Sequence, residues 1–195
     1  MAIIVIGGHS RNVGKTSVVT GLISAFSQCS WTAIKISSHG HRGVFEREIG
    51  EIYEEKDRGS STDTSRFLAA GASRSLWARI GEDNADSVLR ELIPILQTSP
   101  FVIIESNHIL KFIHADLYIL VLRCDVEEFK SSAKKTLKQA DALVLWNSEC
   151  SPPAWKAPLR EVFESLPVFS AADPPNIPKG LIDFVQSQLA IRNNP

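Results

Sequence analysis

Cysteine is scarce in this chain. The three residues, Cys29, Cys124 and Cys150, are odd in number and widely spaced. That argues against a disulfide framework or a zinc site and for free thiols in a reducing cytoplasm. No apolar run approaches the length of a membrane span, and no basic leader or cleavage site precedes the first strand. An excess of one charge sign is missing too. The formal net charge of −1 gives no bulk attraction to nucleic acid or to an anionic membrane. Internal repeats and low-complexity segments are absent. What is present is an ordinary globular composition, 44% apolar and 22% charged, over 195 residues. That length suits one cytoplasmic domain with a substantial core.

The chain is organised around residues 2 to 25. Ala2 to Ile6 is an apolar run of the kind that forms a buried parallel strand. A glycine-bearing loop follows, and Gly14-Lys15-Thr16 opens an amphipathic segment with Val18, Leu22 and Phe26 near helical spacing. Strand, Gly-rich loop, Gly-Lys-Thr and helix together make a phosphate-binding loop, or P-loop. Glycines let backbone N–H groups close around an anion, and the helix N-terminus adds partial positive charge. The residues expected to hold the nucleotide are Gly8, His9, Ser10, Arg11, Asn12, Val13, Gly14, Lys15, Thr16 and Ser17. Lys15 neutralises phosphate oxygens, and the Thr16 hydroxyl is placed to ligate Mg2+.

The loop departs from the standard spacing. Four residues would put the first glycine at position 9, where His9 stands, so Gly8 gives a five-residue spacer, His9 to Val13. A Gly-x5-Gly-Lys-Thr loop resembles those of dethiobiotin synthetase and cobyrinic-acid-type amidotransferases, relatives of MinD and the signal-recognition GTPases.

Strands and helices alternate through the rest of the chain. Strands are expected at Trp31 to Ile36, Ser75 to Ile80, Phe101 to Glu105, Leu117 to Leu122, Ala142 to Trp146 and Val168 to Ser170. Helices are expected from Asp63 to near Gly71, with Asp63-Thr64-Ser65 as its N-terminal cap, from Asp83 to Leu96, from Val126 to Gln139, from Leu159 to Leu166 and from Leu181 to Ile191. Gly40 to Thr64 reads as a long, mobile, functional loop. This alternation predicts an α/β fold, a mostly parallel sheet with helices on both faces, of the P-loop NTPase type.

Ligands of such sheets sit at the carboxyl ends of the strands. Glu105 ends an apolar strand there, so a carboxylate is available to hold magnesium or orient an attacking group. Lys35, also near a strand end, suits a phosphate or an acidic substrate. Asn147 is placed either to read the edge of a purine base or to serve as an ordinary turn residue. The Lys and Asp that GTPases carry after such an Asn are missing, whereas Ser170-Ala171 resembles the Ser-Ala loop that backs guanine in GTPases. ATP against GTP therefore stays open. His39 and His41, with His9, read more simply as turn residues than as metal ligands or a proton-transfer group. Lys130, Lys134, Lys135 and Lys138 read as a solvated helix face, and Trp146 and Trp77 as core or pocket-wall aromatics.

A second resemblance covers residues 2 to 107. The order is the P-loop, then Ala-Ile-Lys and a His-containing loop (Ala33 to His41), then Asp63-Thr-Ser-Arg-Phe-Leu-Ala-Ala-Gly-Ala72, then a strand ending in Glu105. This order resembles molybdopterin-guanine-dinucleotide biosynthesis protein B. The resemblance implies a GTP-binding adapter with weak hydrolysis, a partner transferase in molybdenum-cofactor maturation, and a homodimer. It also implies that Lys15 and Thr16 bind phosphate and magnesium, with Asp63 and Glu105 as acidic groups of the metal or nucleotide site. This chain differs in its longer loop spacer, in Ser37-Ser38 after the Lys35 strand, and in Ser106-Asn107 after Glu105. Two functions follow as expectations. One is a slow NTPase or adapter whose nucleotide state controls docking to a cofactor-synthesis partner. The other is an ATP-dependent small-molecule ligase of dethiobiotin-synthetase type, and on either expectation Lys15, Glu105 and Asp63 are the catalytic residues.

Overall fold

A computed structural model describes residues 1–37, 52–81, 84–149 and 153–190. Among them, eight strands form one sheet in the order β3-β4-β2-β5-β1-β6-β7-β8. The strands are β1 (Ala2–Gly8), β2 (Trp31–Ser37), β3 (Ile52–Glu54), β4 (Arg74–Arg79), β5 (Phe101–Glu105), β6 (Leu117–Arg123), β7 (Ala142–Trp146) and β8 (Val168–Ala171). All neighbours pair in parallel except the edge pair β3 and β4. The helices are α1 (Lys15–Ala25), α2 (Asp63–Ala69), α3 (Ala85–Thr98), α4 (Ser131–Thr136), α5 (Arg160–Ser165) and α6 (Lys179–Ala190). None of the described helices is long and apolar enough to cross a membrane.

The reason β1 sits centrally lies in its composition. Every residue of it is buried, so both faces must be covered. Ile4 and Ile6 point into one core with Val18, Leu22 and Ile23 of α1, Phe67 of α2 and Leu181 of α6. Ile3 and Val5 point into the other, with Val88 and Leu92 of α3 and Leu137. Each such side chain contributes about 2 kcal/mol relative to exposure. From β1 the chain runs through α1 to β2 on one side, and later passes from β5 to β6 on the other. The connections that leave the neighbouring strands β1 and β5 thus run in opposite directions. The carboxyl end of β1 is therefore the switch point at which an open parallel sheet has its crevice.

Three sequence expectations change. The helix expected over Val126 to Gln139 is helical only over Ser131–Thr136, with a 3-10 turn at Leu137–Gln139. Residues 126 to 130 run without regular structure because their backbone groups bond to distant side chains and loops, as described below. The loop expected from Gly40 to Thr64 lies partly outside the described residues, and its described part contains β3. That strand is held to β4 by a bidentate pair, Arg74 Nε and Nη2 to the Glu54 carboxylate at 3.2 and 3.1 Å. The helix after this loop is capped by Thr62, whose hydroxyl accepts the Ser65 N–H at 3.1 Å, and not by Asp63. Asp83, the expected start of α3, lies outside the described residues, as do Cys150, His39 and His41.

Candidate functional site

The loop after β1 is shaped by backbone constraints. Gly14 caps α1 with φ of 90°, and a Cβ there would come within 2.7 Å of Trp146 Nε1. Only glycine suits that position. A Cβ at Gly8 would meet Lys15 and Val13 side-chain carbons at 2.8 Å, so the loop closes tightly on itself. Asn107 clamps Gly8 from across the sheet. Its Nδ2 donates to the Gly8 carbonyl, and its Oδ1 accepts the Gly8 N–H, each at 2.7 Å. Val13 is fully buried, while Arg11 and Asn12 are exposed at the loop tip. Sequence reasoning noted Asn107 only as a departure from a family pattern. Its clamp spans 99 residues of sequence, and no local signal marks it.

Two ammonium groups and two carboxylates converge on Thr16. Lys15 Nζ donates to the Ser10 carbonyl at 2.9 Å. Burial pushes its pKa down from the ordinary lysine value, with Glu105 acting in the opposite sense. The Thr16 hydroxyl lies 2.9 Å from Glu105 Oε2 and 3.1 Å from Asp63 Oδ1, and its single proton serves one of them at a time. Lys35 pairs with Glu105 and, at 3.0 Å, with Asp63. Burial alone would lower the Lys35 pKa, yet Glu105 and Asp63 hold it above the ordinary value. The converse applies to Asp63: burial works to raise its pKa, and Lys35 brings it below the usual carboxylate range. Glu105 is 2% exposed. Thr16, Asp63 and Glu105 are hard oxygen donors of the kind magnesium prefers, and the charge of Lys35 already satisfies the two carboxylates in its absence. The donor set thus fits a magnesium ion.

The second wall comes from residues 126 to 130. His9 is fully buried, and its side chain does not face the crevice. Its ring packs against Phe129 and Trp155 at 5.3 and 5.1 Å between centroids. Burial, the leading cause, pushes its pKa below the ordinary histidine value, so the ring is neutral near pH 7. The Val126 carbonyl meets His9 Nε2 at 3.2 Å and accepts from Trp155 Nε1 at 2.9 Å. The Lys130 N–H donates to the His9 carbonyl at 2.8 Å. These bonds explain why the expected helix starts late. Lys130 lines the crevice and is not part of a solvated helix face. Glu128, on the same wall, accepts a hydrogen bond from the Ser10 hydroxyl.

The crevice has a volume of about 1140 Å³ and joins Gly8, Ser10 to Ser17, Lys35, Asp63 and Glu105 with Arg66, Arg123, Glu128 and Lys130. Asn147, Ser170 and Ala171 are not in its lining. Asn147 adopts φ of 54°, and its N–H bonds to the carbonyls of Ala171 and Ala172, so it forms the turn that ties the ends of β7 and β8. Pro174, just beyond, does reach the crevice. Trp146 is fully buried, and its Nε1 has no partner among the described residues. Trp77 donates from Nε1 to the Ser37 hydroxyl at 3.1 Å.

This chain has the P-loop NTPase fold. Two solved structures carry that statement. The "apo" form of LpxK from Aquifex aeolicus, in complex with ATP, overlays with a TM-score of 0.53 at 22% identity, covering 87% of this chain and 53% of LpxK. The chain therefore spans about half the length of LpxK. The hydrogenase maturation factor HypB from Archaeoglobus fulgidus overlays with a TM-score of 0.58 at 12% identity, covering 96% of this chain and 90% of that one. MobB from Bacillus subtilis is also similar, at 19% identity over 96% of this chain and 98% of MobB, but its TM-score of 0.48 adds no weight. Neither a protein-family model nor a curated protein matches the chain.

Proposed function

We propose that this protein binds a nucleoside triphosphate, GTP or ATP, with magnesium, and acts as a slow NTPase or adapter in cofactor biosynthesis of the molybdopterin type. The observation that carries the nucleotide reading is the convergence of Lys15, Lys35, Thr16, Asp63 and Glu105 at the carboxyl end of β1. The cofactor role is supported only by the sequence resemblance of residues 2 to 107.

In this reading the phosphate chain lies along residues 8 to 16. Backbone N–H groups and the N-terminus of α1 orient it, and Lys15 exchanges its bond to the Ser10 carbonyl for phosphate oxygens. Thr16, with Asp63 or Glu105, would hold magnesium, which would supply neutralisation of phosphate charge there. Lys35, held beside the loop by Glu105 and Asp63, is the second cation available to meet the transferring phosphoryl group. Little covalent chemistry is asked of the protein, so positioning and electrostatics supply the catalysis.

The crevice volume favours a second reading. At about 1140 Å³ it exceeds the ~300–1,000 Å³ of common small-molecule sites, leaving room for an acceptor beside the nucleotide. On that reading the protein is an ATP-dependent ligase of dethiobiotin-synthetase type. Phosphate release from GTP and ATP, with magnesium and with a panel of small amines and carboxylates, separates the two. Slow release that no acceptor stimulates supports the adapter. Strong stimulation by one acceptor class overturns it in favour of the ligase.

A further inference from the structure

We infer that Glu128 is the general base of phosphoryl transfer in this site, an inference that rests on the nucleotide reading above. The crevice carries carboxylates on two sides. On one side Asp63 and Glu105 are engaged by Lys35 and Thr16. On the other stands Glu128, whose partner is a neutral hydroxyl, that of Ser10. The carbonyl of the same Ser10 holds the Lys15 ammonium at 2.9 Å. Ser10 therefore links Glu128 to Lys15, and Glu128, which follows β6, stands on the opposite side of β1 from Glu105, which ends β5.

The backbone that bears the exposed side chain of Glu128 is anchored on both sides. Val126 and Lys130 are hydrogen-bonded to His9 and Trp155 on either side of it, and Phe129 turns into the aromatic contact with His9. Glu128 and Lys130 are left lining the crevice. A carboxylate held this way needs little reorganisation to serve in the transition state. The acceptor's O–H or N–H gives its proton to the Glu128 carboxylate as its oxygen or nitrogen bonds to the terminal phosphorus. The bond from phosphorus to the bridging oxygen breaks, its electron pair leaves with the nucleoside diphosphate, and Glu128 returns the proton to solvent. A base serves only an acceptor that carries a proton. The acceptor class is therefore water, an alcohol or an amine, and not a carboxylate.

The test is Glu128→Gln, which keeps an acceptor for the Ser10 hydroxyl and removes the base. Single-turnover phosphate release at saturating nucleotide should fall about 10²-fold or more, while calorimetric affinity for the nucleotide stays within about threefold. Glu127→Gln is the control. Its carboxylate accepts instead from the Ala154 N–H at 3.2 Å, and both readouts should be unchanged. Full turnover by Glu128→Gln overturns Glu128 as base and leaves the nucleotide reading standing. So does affinity lost in step with turnover, which would make Glu128 a binding group. So does wild-type protein that binds nucleotide yet shows no turnover with water, alcohols or amines. Wild-type protein that binds no nucleotide overturns the nucleotide reading, and the base with it.

Discussion

Replacing Lys35 by Met tests how the acidic pair is held in the absence of metal. Lys35 is one-fifth exposed, and Glu105 is almost wholly enclosed at 2%. Removing one partner of a buried pair strands the other charge, at a cost of about 3–5 kcal/mol. Water reaches Lys35 from the crevice, and Asp63 keeps Arg66 at 3.6 Å, so we expect the lower end, about 3 kcal/mol. Urea unfolding in metal-free buffer, with unchanged m-values, reads this directly. The double variant Lys35→Met/Glu105→Gln removes the stranded charge yet keeps an acceptor for Thr16. It should recover to within about 1 kcal/mol of wild type. Magnesium should stabilise Lys35→Met more than wild type, because it binds the folded carboxylates without displacing an ammonium group. A single variant within about 0.5 kcal/mol of wild type refutes the reasoning. So does a double variant no better than the single.

Other substitutions probe the loop and the sheet edge. Gly14→Ala places a Cβ at φ of 90° and 2.7 Å from Trp146 Nε1, and should cost about 2–4 kcal/mol in thermal or urea unfolding. His9 is held neutral, so the unfolded chain takes up a proton first, near the ordinary histidine value of 6.5. Stability should fall as pH drops through 6.5 towards the lower folded value, and His9→Phe should remove that slope from urea midpoints. Glu54 is held at about 2 by Arg74 and Lys56, against an ordinary value of 4.5. Its contribution is complete above 4.5 and is lost as pH falls towards 2. Solvent screening limits it to about 1 kcal/mol, and Glu54→Gln should flatten acid unfolding in that window.

Local patterns explain most of what could be read before the structure. The β1–loop–α1 unit is legible because an unbroken apolar run and Gly-Lys-Thr are contiguous signals. Glu105 is legible because a carboxylate ending an apolar strand can point only to one edge of a parallel sheet. The wall at 126 to 130 is not legible. The lysine spacing there has a helical period, but its backbone is claimed by His9, which is more than a hundred residues away. Nor is the role of His9: position alone puts it in the phosphate loop, while its ring belongs to an aromatic cluster assembled by tertiary contacts. Strand β3 is likewise decided by its pairing with β4 and the Glu54–Arg74 contact, since three residues carry too little periodicity to show.

The most direct measurement is titration calorimetry of wild-type protein and Lys15→Ala with ATP and GTP, in the presence and absence of magnesium. The account predicts binding of at least one nucleotide, tighter with magnesium, and a large loss of affinity in Lys15→Ala. Binding of neither nucleotide, or equal affinity in the variant, would contradict it.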